Sequence, residues 1–345
     1  MTHETDGAFA GAVAGFVDAV HARDPEATGR AFAGLREGFG QAGPWEIQEG
    51  GPRLAEVLEQ VPPGPRGVVA VIVGACVERG ADPLRTAPGL FDGLRATLED
   101  ALEFCARWAD GGGDKIPEPD DSGFPPPDIV AITGVQPAEA WWSLPQWQMA
   151  ALAHLNHKAA RLRLDGERRR EALALLARLS QASDSDAFKG LAYALRVLDD
   201  EPLVALHRES GTGYLLRMSG IGDTFQLHTL LADALAGGGH VPGHAPSAQE
   251  VAVCRDAPGQ VLTTGTFNLV APDGSWIWNE GDPSDIPVVG GVRLLVLDPP
   301  PYPRSWPAGR FFPGMPGNLL LERRLTPQEA AGWFAHVAPA AAYGG

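Results

Sequence analysis

Two pairs of histidines are spaced like metal ligands. His154 and His157 are three residues apart in a segment with helical periodicity, and His240 and His244 are four apart in a stretch rich in glycine and proline. Two such pairs brought together would give a nitrogen-rich site for zinc or iron. However, His154 falls at the edge of an apolar stripe and His157 on the polar side, and nothing in the sequence forces the pairs together. A His-based metal site is therefore a hypothesis, and no strong cofactor signature accompanies it.

Three carboxylates cluster at Glu280, Asp282 and Asp285. Paired carboxylates can act as general acid and base, or they can hold a hard cation. Their spacing matches no defined calcium loop, and the sequence Asp-Pro-Ser-Asp is typical of a turn. We therefore expect a turn here, and an active site is the alternative.

An aromatic face is predicted on a β-hairpin that turns at residues 272–274, because Pro-Asp-Gly suits a type I turn with glycine in the left-handed position. The register pairs Val270 with Trp276 and places Trp276 and Trp278 on one face. A tryptophan pair can stack on a ligand, since the indole ring offers a large apolar area and a hydrogen-bond donor. Alternatively, helices cover this face, as they often cover sheets. The residues predicted to share the face are Asn268, Trp276, Trp278 and Glu280.

A proline-rich segment with interleaved aromatic residues runs from residue 299 to residue 316. A loop of this length inside a compact domain tends to be functional or mobile. We expect it to lie over the sheet as a lid or a partner surface, with Tyr302 and Trp306 contributing to ligand contact. Ordinary packing is the alternative.

Common catalytic and nucleotide-binding motifs are missing from the chain. It contains no P-loop, HExxH, GxSxG, EF-hand or complete GxGxxG pattern. The Ser-Gly-Ile-Gly segment before Asp223 resembles a phosphate loop only superficially. The Asp223 carboxylate would occupy the helix N-terminus that an anion needs, so we expect it to be a helix cap.

Composition excludes some partner classes. The formal net charge is −16, and a surface this acidic repels nucleic-acid phosphates and anionic lipids. The longest apolar stretch, residues 67–77, is too short to span a bilayer. We therefore expect neither nucleic acid nor membrane as a partner.

Cysteine usage and the N-terminal residues favour a cytoplasmic location. The three cysteines are far apart and form no CxxC pair, so neither a disulfide framework nor a thiolate zinc site is indicated. Residues 1–6 are acidic where a signal peptide would carry positive charge. Arginine greatly outnumbers lysine in a chain rich in alanine, glycine and proline, which is typical of a GC-rich bacterial genome.

The period of the apolar residues changes near Pro202, from helical stripes to short strand-like runs. We predict an α+β protein, with a mainly helical N-terminal region, either a bundle or an irregular array, followed by an antiparallel-sheet α+β domain. Within the helical region, Val68–Val77 reads as a helix, with a strand as the alternative, and Ser143 reads as the cap of a helix that begins at Leu144. The predicted divisions are a helical region over 1–109, an acidic Pro/Gly-rich linker or long loop over 110–128, a continued helical region over 129–199, and the α+β domain over 200–345.

The α+β domain is predicted to open with a hairpin and to continue with a helix from Asp223. A last helix should begin at Thr326-Pro327. The further predicted strands are Val251–Cys254, Val261–Val270, Trp276–Trp278, Val292–Leu297 and Leu319–Glu322.

Recognition of a small molecule or peptide by the aromatic face is the function that this pattern favours. The helical region would cover the α+β domain or form a homo-oligomer through it. An enzyme without a recognisable motif is one alternative, using the histidines or the carboxylates. A helical interaction scaffold is the other.

Overall fold

The structure, a computed structural model, describes residues 7–119, 123–339 and 341; the acidic residues 1–6 lie outside that range. The chain divides into two compact units, Met1–Leu195 and Arg196–Gly345. The first unit is helical, and the second combines helices with an antiparallel-rich sheet. The predicted α+β class is thereby confirmed. None of the helices in the described part of the chain is long and apolar enough to cross a membrane.

Prolines and aspartates set the helix starts of the first unit. Five consecutive helices, α2 to α6, begin at a proline. Proline is tolerated there because the N–H groups of the first turn have no partner within the helix, so its missing N–H costs nothing. Asp24, Asp82 and Asp165 cap helices by accepting bonds from main-chain N–H groups. The helices are α1 (Ala8–Ala22), α2 (Pro25–Phe39), α3 (Pro44–Glu56), α4 (Pro63–Glu78), α5 (Pro83–Asp110), α6 (Pro127–Thr133), α7 (Val135–Leu155), α8 (Lys158–Arg163), α9 (Gly166–Ser183) and α10 (Lys189–Arg196).

Two local predictions for this unit have opposite outcomes. Val68–Val77 is helical within α4, as expected. The predicted helix start at Leu144 is wrong, because α7 begins at Val135 and runs through Pro145. Ser143 is not a cap; its hydroxyl donates to the carbonyl of Ala140 inside the helix. Burial of tryptophans on both sides of Pro145 keeps the helix continuous despite the missing N–H.

The described residues of the predicted linker or long loop, 110–119 and 123–128, lie within the helical unit, between its two predicted helical regions. No regular element occurs in the described residues between α5 and α6. Two indole N–H groups fasten this stretch: Trp108 donates to Lys115 O at 3.1 Å, and Trp141 donates to Pro117 O at 2.8 Å. The choice between a linker and a long loop over 110–128 stays a prediction.

The second unit contains eight strands and three α-helices among its described residues. Its opening hairpin, the helix after Asp223, the helix after Thr326, and strands close to Val292–Leu297 and Leu319–Glu322 are present as predicted. The elements are β1 (Glu201–His207), β2 (Thr212–Ser219), α11 (Thr224–Ala232), α12 (Ala248–Arg255), β3 (Val261–Thr264), β4 (Asn268–Val270), β5 (Val288–Val289), β6 (Val292–Asp298), β7 (Ser305–Ala308), β8 (Asn318–Arg324) and α13 (Pro327–Phe334).

The main sheet has the order β4-β6-β1-β2-β8, with β5 beside β6. β1 and β6 are parallel, and its other paired strands are antiparallel, while β3 and β7 form a separate two-stranded sheet. Alternate residues point to opposite faces. Leu203 and Leu295 face a core that includes α11, whereas Val204 and Val296 face α13.

Two predicted strands of this unit are wrong. Val251–Cys254 lies in α12, because Ser247 and Glu250 form a capping box that overrides the β-branched residues. Val261–Val270 is not continuous: β3 and β4 belong to different sheets. Between them, the backbone N–H of Phe267 donates to the His228 ring and its carbonyl accepts from Arg304, so Phe267 pairs with side chains instead of a strand.

The cap of α11 gives a test of buried charge. Asp223 accepts from Gln226 N at 2.7 Å, and burial raises the pKa of its carboxyl to about 6 from 3.8. The protonated carboxyl therefore contributes its full stabilisation below the pKa of Asp223 in the unfolded chain. This contribution is lost as the pH rises through the higher pKa of the folded state. Asp223→Asn keeps a capping side chain without the charge. In urea unfolding, we expect this variant to be about 1–2 kcal/mol more stable than the wild type above about pH 6 and equal to it below about pH 4. Equal stabilities at all pH values would contradict this.

Candidate functional site

The hairpin that carries the tryptophans has the predicted register at its centre. Val270 bridges to Trp276, and Ile277 N donates to Leu269 O at 2.9 Å. Residues 276–278 form no further ladder, so they are not a full strand. The ring centroids of Trp276 and Trp278 are 5.8 Å apart. Trp276 packs against the cluster under α13, whereas Trp278 is 58% exposed. One ring is therefore anchored in the fold, and the other is open to solvent.

A row of polar side chains lies at the carboxyl ends of the parallel strands β1 and β6, beside this hairpin. Asp298 is the last residue of β6 and is paired with Asn268 of β4. Arg208 follows β1 directly, and its Nε donates to Asp298 Oδ1 at 2.7 Å. Because residues two apart on a strand share a face, Asn268 lies on the same face as Val270, the partner of Trp276. Polar and aromatic groups thus meet at one strand end.

Three polar atoms of this row have no hydrogen-bond partner among the residues that the structure describes: Asn268 Oδ1, Asp298 Oδ2 and Arg208 Nη2. Asn268 is 4% exposed and Asp298 is 7% exposed. Buried polar atoms are almost always paired in folded proteins, since an unpaired one costs about 1–3 kcal/mol. The row therefore combines two acceptors and one donor whose hydrogen-bonding capacity is unused.

Tyr302 lies near this region, and Glu280 follows Trp278 by two residues along the chain. The guanidinium of Arg304 lies 5.8 Å from the centre of the Tyr302 ring, and the same group donates to Phe267 O at 2.6 Å, directly before Asn268. Tyr302 and Glu280 are both exposed. The loop over 299–316 thus brings Tyr302 towards the start of β4, as an interface requires.

Trp306, predicted to contribute to ligand contact, is more buried than Trp276 and Trp278. It lies on β7 and is 7% exposed. Its ring is 4.8 Å from that of His228 in an edge-to-face arrangement and 5.4 Å from that of Phe225. Its indole is therefore part of the core next to α11, because pairing of β7 with β3 turns it inward. His228 is fully buried as well.

The histidine pairs do not form a metal site in the described residues. His154 and His157 belong to the helical unit, and His240 and His244 belong to the α+β unit. Both nitrogens of His154 are engaged, with Ala150 O at 2.8 Å and Thr86 Oγ1 at 2.7 Å. Across the described chain, no group of three or more His, Cys, Asp or Glu side chains is placed to hold a metal ion. The donor set therefore does not fit zinc or iron.

The carboxylates around residue 282 act as local caps. Asp282 accepts from the N–H and the hydroxyl of Ser284 and forms an ion pair with Arg196 at 3.4 Å. Asp285 accepts from Asp282 N at 3.1 Å. Asp282 is buried, whereas Glu280 and Asp285 are exposed, and a short 3₁₀ helix, Pro283–Asp285, joins them. This is the turn that the sequence predicts.

Sequence reasoning missed Arg208, Asp298 and a cavity in the helical unit. Polar residues directly after buried strands are the signal that points to the first two. The cavity, about 330 Å³, is lined by Trp141, Leu144, Phe188 and the 110–128 loop. Its size suits a small molecule. Its lining also holds the polar side chains of Lys115, Glu118, Gln148, Asp184 and Ser185, whereas the Trp141 indole N–H is already bonded and Ser183 donates to Leu179 O.

Comparison of the chain with protein-family models, with curated proteins and with solved structures finds no match.

Proposed function

We propose that the α+β unit recognises a small molecule or peptide through the face formed by Trp276 and Trp278. The observation that carries this proposal is the exposed indole of Trp278, 5.8 Å from the anchored ring of Trp276. A solvent-exposed tryptophan held beside a second one supplies a rigid surface for stacking. Such a contact is worth about 0.5–1.5 kcal/mol beyond the area it buries.

The polar row supplies orientation to this surface. Asn268, Asp298 and Arg208 hold unused acceptors and a donor close to the stacking rings. A ligand that carries both a donor and an acceptor, such as an amide, matches this set. We therefore propose amide-bearing molecules with an aromatic or apolar body as the ligand class, with Tyr302 at the border of the site.

The alternatives receive less support. An enzyme at Glu280, Asp282 and Asp285 would need carboxylates that converge in a cleft, but Asp282 and Asp285 serve as caps. A helical interaction scaffold would not account for the stacking pair of Trp276 and Trp278 in the α+β unit. We retain the cytoplasm of a bacterium as the setting, since the three cysteines are free and buried.

The test compares two exposed side chains of similar accessibility. In saturation-transfer NMR with N-acetyl-phenylalaninamide as the probe, the wild type should bind weakly, and Trp278→Ala should lower affinity by about tenfold. Leu320→Ala is the matched control, because Leu320 is 56% exposed on β8 at the other edge of the sheet. This variant should bind like the wild type. Absence of binding to the wild type, or equal losses in both variants, would rule out the face as the site.

A further inference from the structure

A short segment of this chain already lies against the tryptophan hairpin. α13 ends at Phe334, and the chain then returns to the turn over residues 271–275. Ala338 N donates to Pro272 O at 2.7 Å, and Ala341 N donates to Gly274 O at 2.8 Å. We call Ala338, Pro339 and Ala341 the trailing segment. Its two N–H groups are bonded to main-chain carbonyls of the hairpin turn.

Two side chains of the candidate site hold the carbonyls of the same segment. Arg208 Nη1 donates to Ala338 O at 3.2 Å, and Trp276 Nε1 donates to Ala341 O at 3.3 Å. The four bonds therefore engage one N–H and one C=O at each of two residues. None of them involves a side-chain atom of the trailing segment. Bonds to the main chain of a segment, rather than to its side chains, are one way in which proteins recognise a peptide independently of its sequence.

The hairpin turn is shaped for close approach of a peptide. Gly274 has φ +90°, and a Cβ built there would lie 2.3 Å from Pro339 O. A side chain at this position would therefore collide with the carbonyl of the segment. Only glycine combines the positive φ with the space for a neighbouring main chain.

The described residues of the trailing segment are largely accessible to solvent, which favours exchange with another peptide. Pro339 and Ala341 are exposed, and Ala338 is only partly buried. Alanine and proline bury little apolar area, and each hydrogen bond contributes about 0.5–1.5 kcal/mol. Segments with few apolar contacts and exposed hydrogen bonds open at low free-energy cost.

We infer that the tryptophan face is a docking site for an extended peptide with small side chains, recognised through its main chain, and that the trailing segment occupies it as an intramolecular competitor. This inference rests on the proposed function of the same face and selects the peptide from the two ligand classes. Displacement of the segment breaks its bonds to Arg208 Nη1, to Trp276 Nε1 and to the carbonyls of Pro272 and Gly274. An incoming peptide satisfies the same four groups.

The test uses the full chain with the double substitution Ala338→Pro and Ala341→Pro. Proline lacks the N–H, so both bonds to the turn are lost and the segment is released. A fluorescein-labelled peptide of residues 335–345 should then bind in an anisotropy titration, at least about tenfold more tightly than it binds the wild type, where the attached segment competes. The matched control, Ala338→Ser with Ala341→Ser, keeps both N–H groups and should behave like the wild type.

A second peptide tests main-chain recognition directly. The same peptide with proline at the positions of Ala338 and Ala341 should bind the double variant at least about tenfold more weakly. Equal binding of the two peptides, or equal affinity of the first peptide for the wild type and the double variant, would overturn the inference. If the double variant does not fold, hydrogen exchange of the wild type replaces the titration. Saturation with the peptide should then remove the protection of the Ala338 and Ala341 amides, and unchanged protection would overturn the inference. If the peptide tests fail but N-acetyl-phenylalaninamide still binds in a Trp278-dependent way, only the inference about the peptide is wrong. If neither the peptide nor N-acetyl-phenylalaninamide binds, the proposed function is wrong as well.

Discussion

Trp306→Ala should lower the free energy of unfolding of the α+β unit by about 3–5 kcal/mol, as large-to-small substitutions of buried tryptophan do. The indole is 7% exposed and packs against His228 and Phe225, so its removal leaves a cavity next to α11. Urea unfolding followed by circular dichroism measures the loss.

Trp278→Ala is the matched control for this experiment, because it removes the same side chain from an exposed position. Its unfolding free energy should stay within about 0.5 kcal/mol of the wild type, as is usual for surface substitutions. Similar losses in the two variants would mean that Trp278 also belongs to the core. In that case, the proposed stacking face would not exist.

Acidification should destabilise the helical unit through His154. Burial lowers the pKa of this imidazole to about 4 from its ordinary value of 6.5. The unfolded chain therefore takes up a proton at a pH where the folded chain does not. The free energy of unfolding therefore falls as the pH drops from the pKa of the unfolded chain towards the lower pKa of the folded state. The expected loss is about 2 kcal/mol between about pH 7 and about pH 4.5.

The histidine variants isolate this contribution. His154→Gln cannot titrate, so the difference in unfolding free energy between the wild type and this variant should shrink by about 2 kcal/mol on acidification. His157→Gln, at an exposed position three residues away, should leave the pH dependence of the wild type nearly unchanged. A His154→Gln variant whose acid sensitivity equals that of the wild type would contradict the prediction.

The free energy of unfolding of the α+β unit should change less on acidification, because two buried groups there have opposite effects on its pH dependence. Burial lowers the pKa of His228 to about 4 and raises the pKa of Asp223 to about 6. His228 makes the unit less stable as pH falls, while Asp223 makes it less stable as pH rises through the same range. The two contributions partly cancel between about pH 4 and about pH 6.

Local patterns in the sequence determined most of the elements. Proline at the first helical position, aspartate or threonine caps and the apolar stripes place α2, α5, α11 and α13 without reference to the rest of the fold. The Pro-Asp-Gly turn also determined the pairing of Val270 with Trp276. Each of these signals acts between residues a few positions apart, so a single sequence contains it.

Tertiary packing decided the points at which local patterns fail. α7 continues through Pro145 because its flanking tryptophans are buried in the helical core. The β-branched residues of α12 are helical for a local reason instead, because the capping box of Ser247 and Glu250 starts the helix. Residues 261–270 divide between two sheets because His228 and Arg304 bind the backbone of Phe267 from positions far away in the sequence.

The candidate site shows the same division. The sequence by itself determined that two tryptophans share a face of a hairpin, because side chains alternate along extended backbone. Only the tertiary structure decided that Trp306 is buried, that Asp298 and Arg208 join Asn268 at the strand ends, and that the trailing segment covers Trp276. The physical reason is distance along the chain: the contact between Arg208 and Ala338 joins residues 130 positions apart. No local period encodes such a contact, because it depends on the order of strands in the sheet and on where α13 packs.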